Sequence, residues 1–222
     1  HVLQRALRDH GDKVDRSRME ESISRIKNAA QRMEKCQDIS TLRGIEGEAA
    51  AAYFDVFDQL ITAPRKHFAF DGRNRRPPRD PVNCMLSFVY TILMHDVRSA
   101  LEGVGLDPQV GFLHKDRPGR PSLALDMMEE FRPVIADRLV LSLINLGKVK
   151  HSDFVTEERG VFMKDETRKM VLAAYQERKK EELTHPFLGE KVALGIVFHL
   201  QALLLARHLR GDIGAYPPFV LK

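Results

Sequence analysis

Cysteine is scarce in this chain: only Cys36 and Cys84 occur, each among helix-forming residues. A disulfide framework is therefore not expected, and the natural setting is a reducing, cytoplasmic one. No stretch approaches the ~18 uncharged apolar residues a membrane-spanning helix requires, so no membrane role is expected. No secretory signal pattern is present, and the chain opens on His1 rather than methionine; a piece of a longer protein is the expectation. Histidines are spread without zinc-like spacing, which argues against a structural zinc. Internal repeats and low-complexity tracts are missing. Strand signals are nearly missing too, with Gly160-Val161-Phe162-Met163 the one weak candidate. The excess of positive charge is small, 35 Lys and Arg against 31 Asp and Glu. A net charge of +4 permits an anionic partner such as nucleic acid without requiring one.

What fills the chain is helical periodicity. Met19, Ile23, Ile26, Ala30 and Met33 recur at three- and four-residue spacing and predict a helix over 16–37. An alanine-rich helix is predicted over 45–61, with Ala49, Ala52, Tyr53, Val56, Phe57 and Leu60 on one side. The apolar series from Val82 to Val104 predicts a long buried helix. Further helices are predicted over 122–146, 165–183 and 187–210, the last apolar around most of its girth and hence central. The fold class expected is all-α. Residues 1–40 read as leading linker helices and 41–222 as one helical domain.

Two loops interrupt the helices. The first, 64–80, carries Arg65, Lys66, Arg73, Arg75, Arg76 and Arg79 against Asp71 and Asp80 only. The second, 114–121, contains Lys115, Arg117 and Arg120 with Pro118, Gly119 and Pro121, which forbid helix. Both loops suit phosphate contact, although a solvated charge cluster explains them as well.

Asp126 and Glu129 are three residues apart, so on a helix they share a face at roughly 5–6 Å between Cβ atoms. Like charges that close repel unless a cation lies between them, which suits a hard divalent ion. The alternative is that both acids lie on the wet face, steadied by the helix dipole. His114, twelve residues before Asp126, offers a nitrogen ligand if its loop folds back, or is an ordinary surface or core histidine. Glu46 stands between Gly44 and Gly47, and glycines at a helix start are costly choices. They predict a close backbone approach or a site; a plain helix N-terminus is the competing reading. Tyr90 and Asn83 could reach a substrate, but core packing explains Tyr90 equally well.

Three segments together resemble one family. They are Leu-Arg-Gly-Ile-Glu-Gly at 42–47 with its Ala-rich helix and Tyr53, Arg-Pro-Pro-Arg-Asp-Pro-Val-Asn at 76–83, and Gly-Phe-Leu-His at 111–114 followed by Leu-Ala-Leu-Asp-Met-Met-Glu-Glu-Phe-Arg-Pro at 123–133. In order and separation they are similar to the CRISPR-associated spacer-acquisition integrase, the universal adaptation nuclease of CRISPR systems, and most like its subtype I-C branch. The resemblance runs to Tyr216-Pro217-Pro218-Phe219. It implies a Mn²⁺ or Mg²⁺ site made by Glu46, His114 and Glu129, with Asp126 as a further acid and Arg132 as a basic neighbour. These groups are expected to converge. Many relatives carry Asp where this chain has Glu129, which leaves open whether Asp126 or Glu129 is the direct ligand.

The resemblance further implies phosphoryl transfer on DNA, joining spacer 3′-hydroxyls to the CRISPR repeat. The implied partners are spacer-precursor and repeat DNA and a small ferredoxin-like CRISPR-associated protein, with a homodimer in the full-length form. The family's N-terminal β-rich domain is expected to be absent here. A nonspecific metal-dependent nuclease or a non-catalytic helical DNA-binding scaffold are the competing readings.

Overall fold

Asp15 starts the second helix: its side chain accepts the Arg18 backbone N–H at 3.1 Å, satisfying one of the donors a helix start leaves unpaired. Asp38 does the same for the third, accepting the Thr41 backbone N–H at 2.7 Å together with the Ser40 and Thr41 hydroxyls. Those hydroxyls and the Thr41 N–H hold the Asp38 carboxyl below its ordinary value. In this computed structural model, which describes residues 2–11, 13–63 and 67–221, the elements begin with α1 (Val2–His10), α2 (Arg16–Glu34) and α3 (Ile39–Asp55). The helix predicted to begin at residue 45 thus begins at Ile39, because Asp38 supplies a cap that apolar spacing cannot reveal. Arg65 and Lys66 lie outside the described residues.

The chain divides into two compact units, one formed by His1–Ser87 with Val140–Lys164, the other by Phe88–Leu139 with Asp165–Lys222. In the first unit, α2 packs along α3. Met19 and Ala29 are buried on one, Ile45 and Ala52 on the other, and the Ser22 hydroxyl donates to the Ala52 carbonyl at 2.6 Å. After α3 a 3₁₀ turn, Phe57–Leu60, brings Phe57 against Phe70 at 5.1 Å between ring centroids. The Pro-rich motif at 76–83 turns out to build structure. Asp80 caps α4 (Pro81–Gly103) by accepting the Asn83 N–H at 2.7 Å, and Pro81 opens the helix where no N–H is needed. Asn83, fully buried, donates to the Gly72 carbonyl and accepts from Asn74 N and the Arg73 guanidinium, tying the loop to the helix. Asn83 is thereby unavailable to a substrate.

The weak strand candidate is a strand: β1 (Phe154–Glu157) pairs antiparallel with β2 (Gly160–Met163), Phe154 opposite Met163. Gly160 is obligatory there. Its φ is +127°, and an added Cβ would lie 2.7 Å from the Pro77 Cβ and the Pro78 carbonyl oxygen.

The predicted helix 122–146 is the clearest departure. It breaks into α5 (Ser122–Met128), a π-helical turn at Arg132–Asp137 and α6 (Arg138–Asn145). Pro133 is the reason: it has no N–H to donate and its ring crowds the carbonyl four residues back. Arg178 donates to the Val134 carbonyl of that turn at 2.9 Å.

In the second unit, α7 (Asp165–Lys180) and α8 (Leu194–Leu209) flank a second hairpin, β3 (Glu182–Thr184) with β4 (Lys191–Ala193). The predicted helix 165–183 therefore ends earlier and the predicted helix 187–210 begins later, each giving up residues to three-residue strands. Helix α8 buries Val197, Phe198, Gln201 and Ala202 but leaves Ile196 and Leu203 exposed, so it is not enclosed all round. The expectation of an all-α fold holds for the scaffold and misses the two hairpins. No helix among the described residues is long and apolar enough to cross a membrane.

A buried polar cluster anchors the tail of this unit. The Gln201 amide nitrogen donates to Glu130 Oε2, the Tyr216 hydroxyl and the Pro217 carbonyl, which leaves its carbonyl oxygen facing His185 Nε2 at 3.1 Å. His185 Nδ1 accepts the Phe187 and Leu188 backbone N–H groups, so the ring is neutral with its proton on Nε2. Burial pushes its pKa below the ordinary value. The unfolded chain then takes up the proton first as pH falls, and stability drops below about pH 6.5. Urea unfolding at about pH 7.5 and about pH 5.5 should show a smaller loss in His185→Gln than in the wild type. Burial pushes the Glu130 carboxyl up, a contribution of opposite sign as pH falls.

Candidate active site around His114 and Asp126

Asp126 lies on α5 and aims its carboxylate at the loop before that helix. Oδ2 accepts the Phe112 and Leu113 backbone N–H groups at 2.6 and 3.0 Å. Oδ1 accepts the His114 backbone N–H at 2.9 Å and meets His114 Nδ1 at 2.6 Å. Burial works against its charge, but the His114 ring and these three N–H groups outweigh it and hold the carboxyl below its ordinary value. An ionised Asp126 accepts rather than donates, so the neutral His114 ring carries its proton on Nδ1 and its lone pair on Nε2. This is the arrangement in which a carboxylate orients a ligating histidine.

Gly111 makes the loop possible. A Cβ there would sit 2.7 Å from Ser122 Cβ, 2.9 Å from the Ser122 carbonyl carbon and 2.9 Å from Asp126 Oδ2. The Gly-Phe-Leu-His motif is thus a glycine for close approach, two backbone donors for Asp126, and the histidine they deliver. No periodicity argument finds this; the glycine opening the motif was the available signal.

Glu129 closes α5 and turns the other way, into an ion pair with Arg132. The Arg132 guanidinium lies 4.1 Å from the Tyr90 ring centroid, and the Tyr90 hydroxyl donates to the buried Asp137 at 2.5 Å. The repulsion expected between Asp126 and Glu129 is therefore answered separately for each: backbone donors and histidine for one, arginine for the other. Tyr90 and Asp137 are partners that sequence spacing did not single out.

Glu46 is half-buried on α3 in the first unit, whereas His114, Asp126 and Glu129 belong to the second. A Cβ at Gly44 or Gly47 would meet nothing within 4 Å among the described residues, so the close backbone approach expected there is not found. The glycines instead leave the helix surface beside Glu46 uncrowded. Among the described residues no group of three or more His, Cys, Asp or Glu side chains is gathered to hold a metal ion. The structure brings His114 to Asp126 and holds Glu129 with Arg132. Imidazole nitrogen and carboxylate oxygen, the donors that His114 and Glu129 carry, are of the kind that suits a hard or borderline divalent ion.

Of the basic residues, Arg75, Arg76, Lys115 and Arg117 are exposed and Arg120 is half-buried. Arg73 is committed to structure: its guanidinium donates to the Asn74 carbonyl, Asn83 Oδ1 and the Ser87 hydroxyl. Arg132 is likewise engaged within the site.

Residues 1–177 match the family described as CRISPR associated protein Cas1. The chain belongs to that family. The CRISPR-associated endonuclease Cas1 1 of Chlorobaculum tepidum is 59% identical over 222 residues, covering 100% of this chain. The chain spans 65% of that relative's length. Among solved structures, a Cas1 protein from Thermotoga maritima superposes with a TM-score of 0.77 at 28% identity, covering 95% of this chain and 64% of the other. A Cas6-RT-Cas1–Cas2 complex gives 0.84 at 24% identity over 100% of this chain and 24% of the matched one, a likeness of fold. The Cas1 fold is thus seen here with the Gly-Phe-Leu-His loop seated on its Asp-x-x-Glu helix.

Proposed function

We propose that this chain carries the catalytic helical part of a CRISPR-adaptation nuclease and integrase that acts on DNA phosphodiesters. The observation that carries the reading is the fourfold engagement of Asp126, which presents His114 with its Nε2 lone pair available. His114, Glu129 and Glu46 are the proposed ligands of Mn²⁺ or Mg²⁺, and Asp126 is the residue that positions His114. The engagement of both Asp126 oxygens by the loop supports Glu129 over Asp126 as the proposed direct ligand. A bound ion would supply Lewis-acid polarisation of a phosphodiester oxygen and charge stabilisation as the phosphorus becomes pentacoordinate.

The chain's own residues supply the rest. Asp126 accepts the His114 Nδ1 proton, which turns the Nε2 lone pair of the neutral tautomer away from the carboxylate. Arg75, Arg76, Lys115, Arg117 and Arg120 offer exposed or half-exposed cations for the DNA backbone, an affinity that weakens as salt rises. The attacking group is a 3′-hydroxyl in joining or water in cleavage, and one site serves both. The proposed partners are DNA of spacer and repeat type and a small ferredoxin-like CRISPR-associated protein. The structural neighbour that is a Cas1–Cas2 complex supports a protein partner of this kind, and a homodimer is proposed for the full-length form.

The test is metal-dependent stabilisation. Millimolar Mn²⁺ should raise the melting temperature of the wild type, because an ion that binds only the folded state stabilises it. His114→Ala should lose that rise along with DNA cleavage. An equal rise in His114→Ala would place the ion elsewhere and return the chain to a non-catalytic scaffold.

A further inference from the structure

Glu129 is the acid proposed above as a metal ligand, yet its carboxylate is taken by Arg132. The two partners are unequally placed: the Arg132 side chain is 14% exposed and that of Glu129 36%. The guanidinium is held from behind as well. It lies over the Tyr90 ring at 4.1 Å, and the Tyr90 hydroxyl is fixed to Asp137, which is 1% exposed at the end of the π-helical turn. Arg132 and Asp137 are the two ends of that turn, so the turn itself sets where the cation stands. Glu129 is therefore the movable, outward partner, and Arg132 the fixed one.

We infer that Arg132 is a displaceable counter-ion: it occupies the Glu129 carboxylate until a divalent ion takes it, so ion pairing and metal binding at Glu129 exclude one another. The inference rests on the reading of Glu129 as a metal ligand. Without a cation beside it, the Glu129 carboxylate would stand uncompensated one helical turn from the ionised Asp126; Arg132 answers that charge while no ion is bound. A partly exposed ion pair is weak in net terms, and a divalent ion with open oxygen coordination outcompetes it. When Glu129 leaves, the guanidinium keeps its aromatic face and the nearby Asp137 charge, so the exchange strands no buried cation. The same exchange frees guanidinium donors for a phosphate. One residue would thereby serve as a structural partner without the ion and be free to contact DNA with it.

The opposite role is positioning, in which Arg132 holds Glu129 ready and its loss weakens the metal. The two roles give effects of opposite sign. Binding of Mn²⁺ alone, read by calorimetry and by the resonance of free Mn²⁺, should be compared in wild type, Arg132→Met, Arg132→Gln, Arg132→Lys and Glu129→Gln, each checked for folding by circular dichroism. Both uncharged variants are expected to bind Mn²⁺ about tenfold tighter than the wild type, within the ordinary range of coupling energies. Arg132→Lys keeps the charge and should stay close to the wild type. Glu129→Gln should bind weakly whatever stands at 132. If either folded uncharged variant binds Mn²⁺ equally or less well while binding remains dependent on Glu129, the counter-ion role is overturned, and weaker binding establishes positioning in its place. If wild type and Glu129→Gln bind Mn²⁺ alike, the metal-ligand reading itself has failed, and the inference with it.

Discussion

Asp126→Asn is expected to lower Mn²⁺ affinity about 10- to 100-fold, the usual effect of removing a carboxylate that orients a metal-bound histidine. The amide has one acceptor end where the carboxylate has two. If its oxygen keeps the Phe112 and Leu113 N–H groups, its NH₂ points at His114, whose N–H lies 2.9 Å from the present oxygen and whose Nδ1 lies 2.6 Å away. The ring then has to turn a lone pair to Nδ1 and place its proton on Nε2, the wrong tautomer for a ligand. If the amide faces the other way, two backbone donors lose their acceptor instead. Asp126→Ala removes all four contacts and should cost about 3 kcal/mol of stability, since hydrogen bonds to a charged group are the strong kind. Calorimetric Mn²⁺ titration and urea denaturation measure the two effects separately. Wild-type Mn²⁺ affinity in folded Asp126→Asn would show that the carboxylate does not act through His114.

Gly111→Ala is expected to damage the fold and the site together. The new Cβ would stand 2.7 Å from Ser122 Cβ and 2.9 Å from the Ser122 carbonyl carbon. The second of these is backbone of α5 and cannot rotate aside, so the loop or the helix has to shift. Overpacking of this kind costs about 2 kcal/mol, and here the strain falls on the segment that delivers His114. Mn²⁺ affinity should therefore fall by more than the loss of stability alone accounts for. Gly44→Ala is the control: nothing described lies within 4 Å of its added Cβ, and alanine is the better helix former. Denaturation midpoints for the pair should move in opposite directions. A Gly111→Ala protein as stable as Gly44→Ala would show that the 111–114 loop adjusts freely.

The same contrast separates what was legible from what was not. The helix predicted over 82–104 is found at Pro81–Gly103, because a long apolar series and an Asp-Pro start leave little else to form. The strand at Gly160–Met163 is found where its β-prone residues predicted it. The break in 122–146 was readable in Pro133 but was overridden by the apolar periodicity on either side of it. The hairpin β3–β4 was not readable, since three-residue strands carry too few alternations to stand out against a helical background. Glu129 and Arg132 are spaced for a helical ion pair, whereas Glu130 and the Phe219 N–H meet across 89 residues. Local spacing reports only neighbours within a turn or two.

By itself the sequence determined the helical class, the long buried helix, the family and the residue types of the site, because periodicity and motif order are local properties of the chain. Tertiary structure alone decided the division of labour among the acids. Asp126 and Glu129 have the same charge, lie one turn apart and look alike in the sequence. Which of them turns inward depends on where three backbone N–H groups of a loop arrive, and that arrival depends on Gly111 passing within a methyl's width of Ser122. A carboxylate's role is set by the donors that reach it, and those donors are brought together only when the loop closes on the helix.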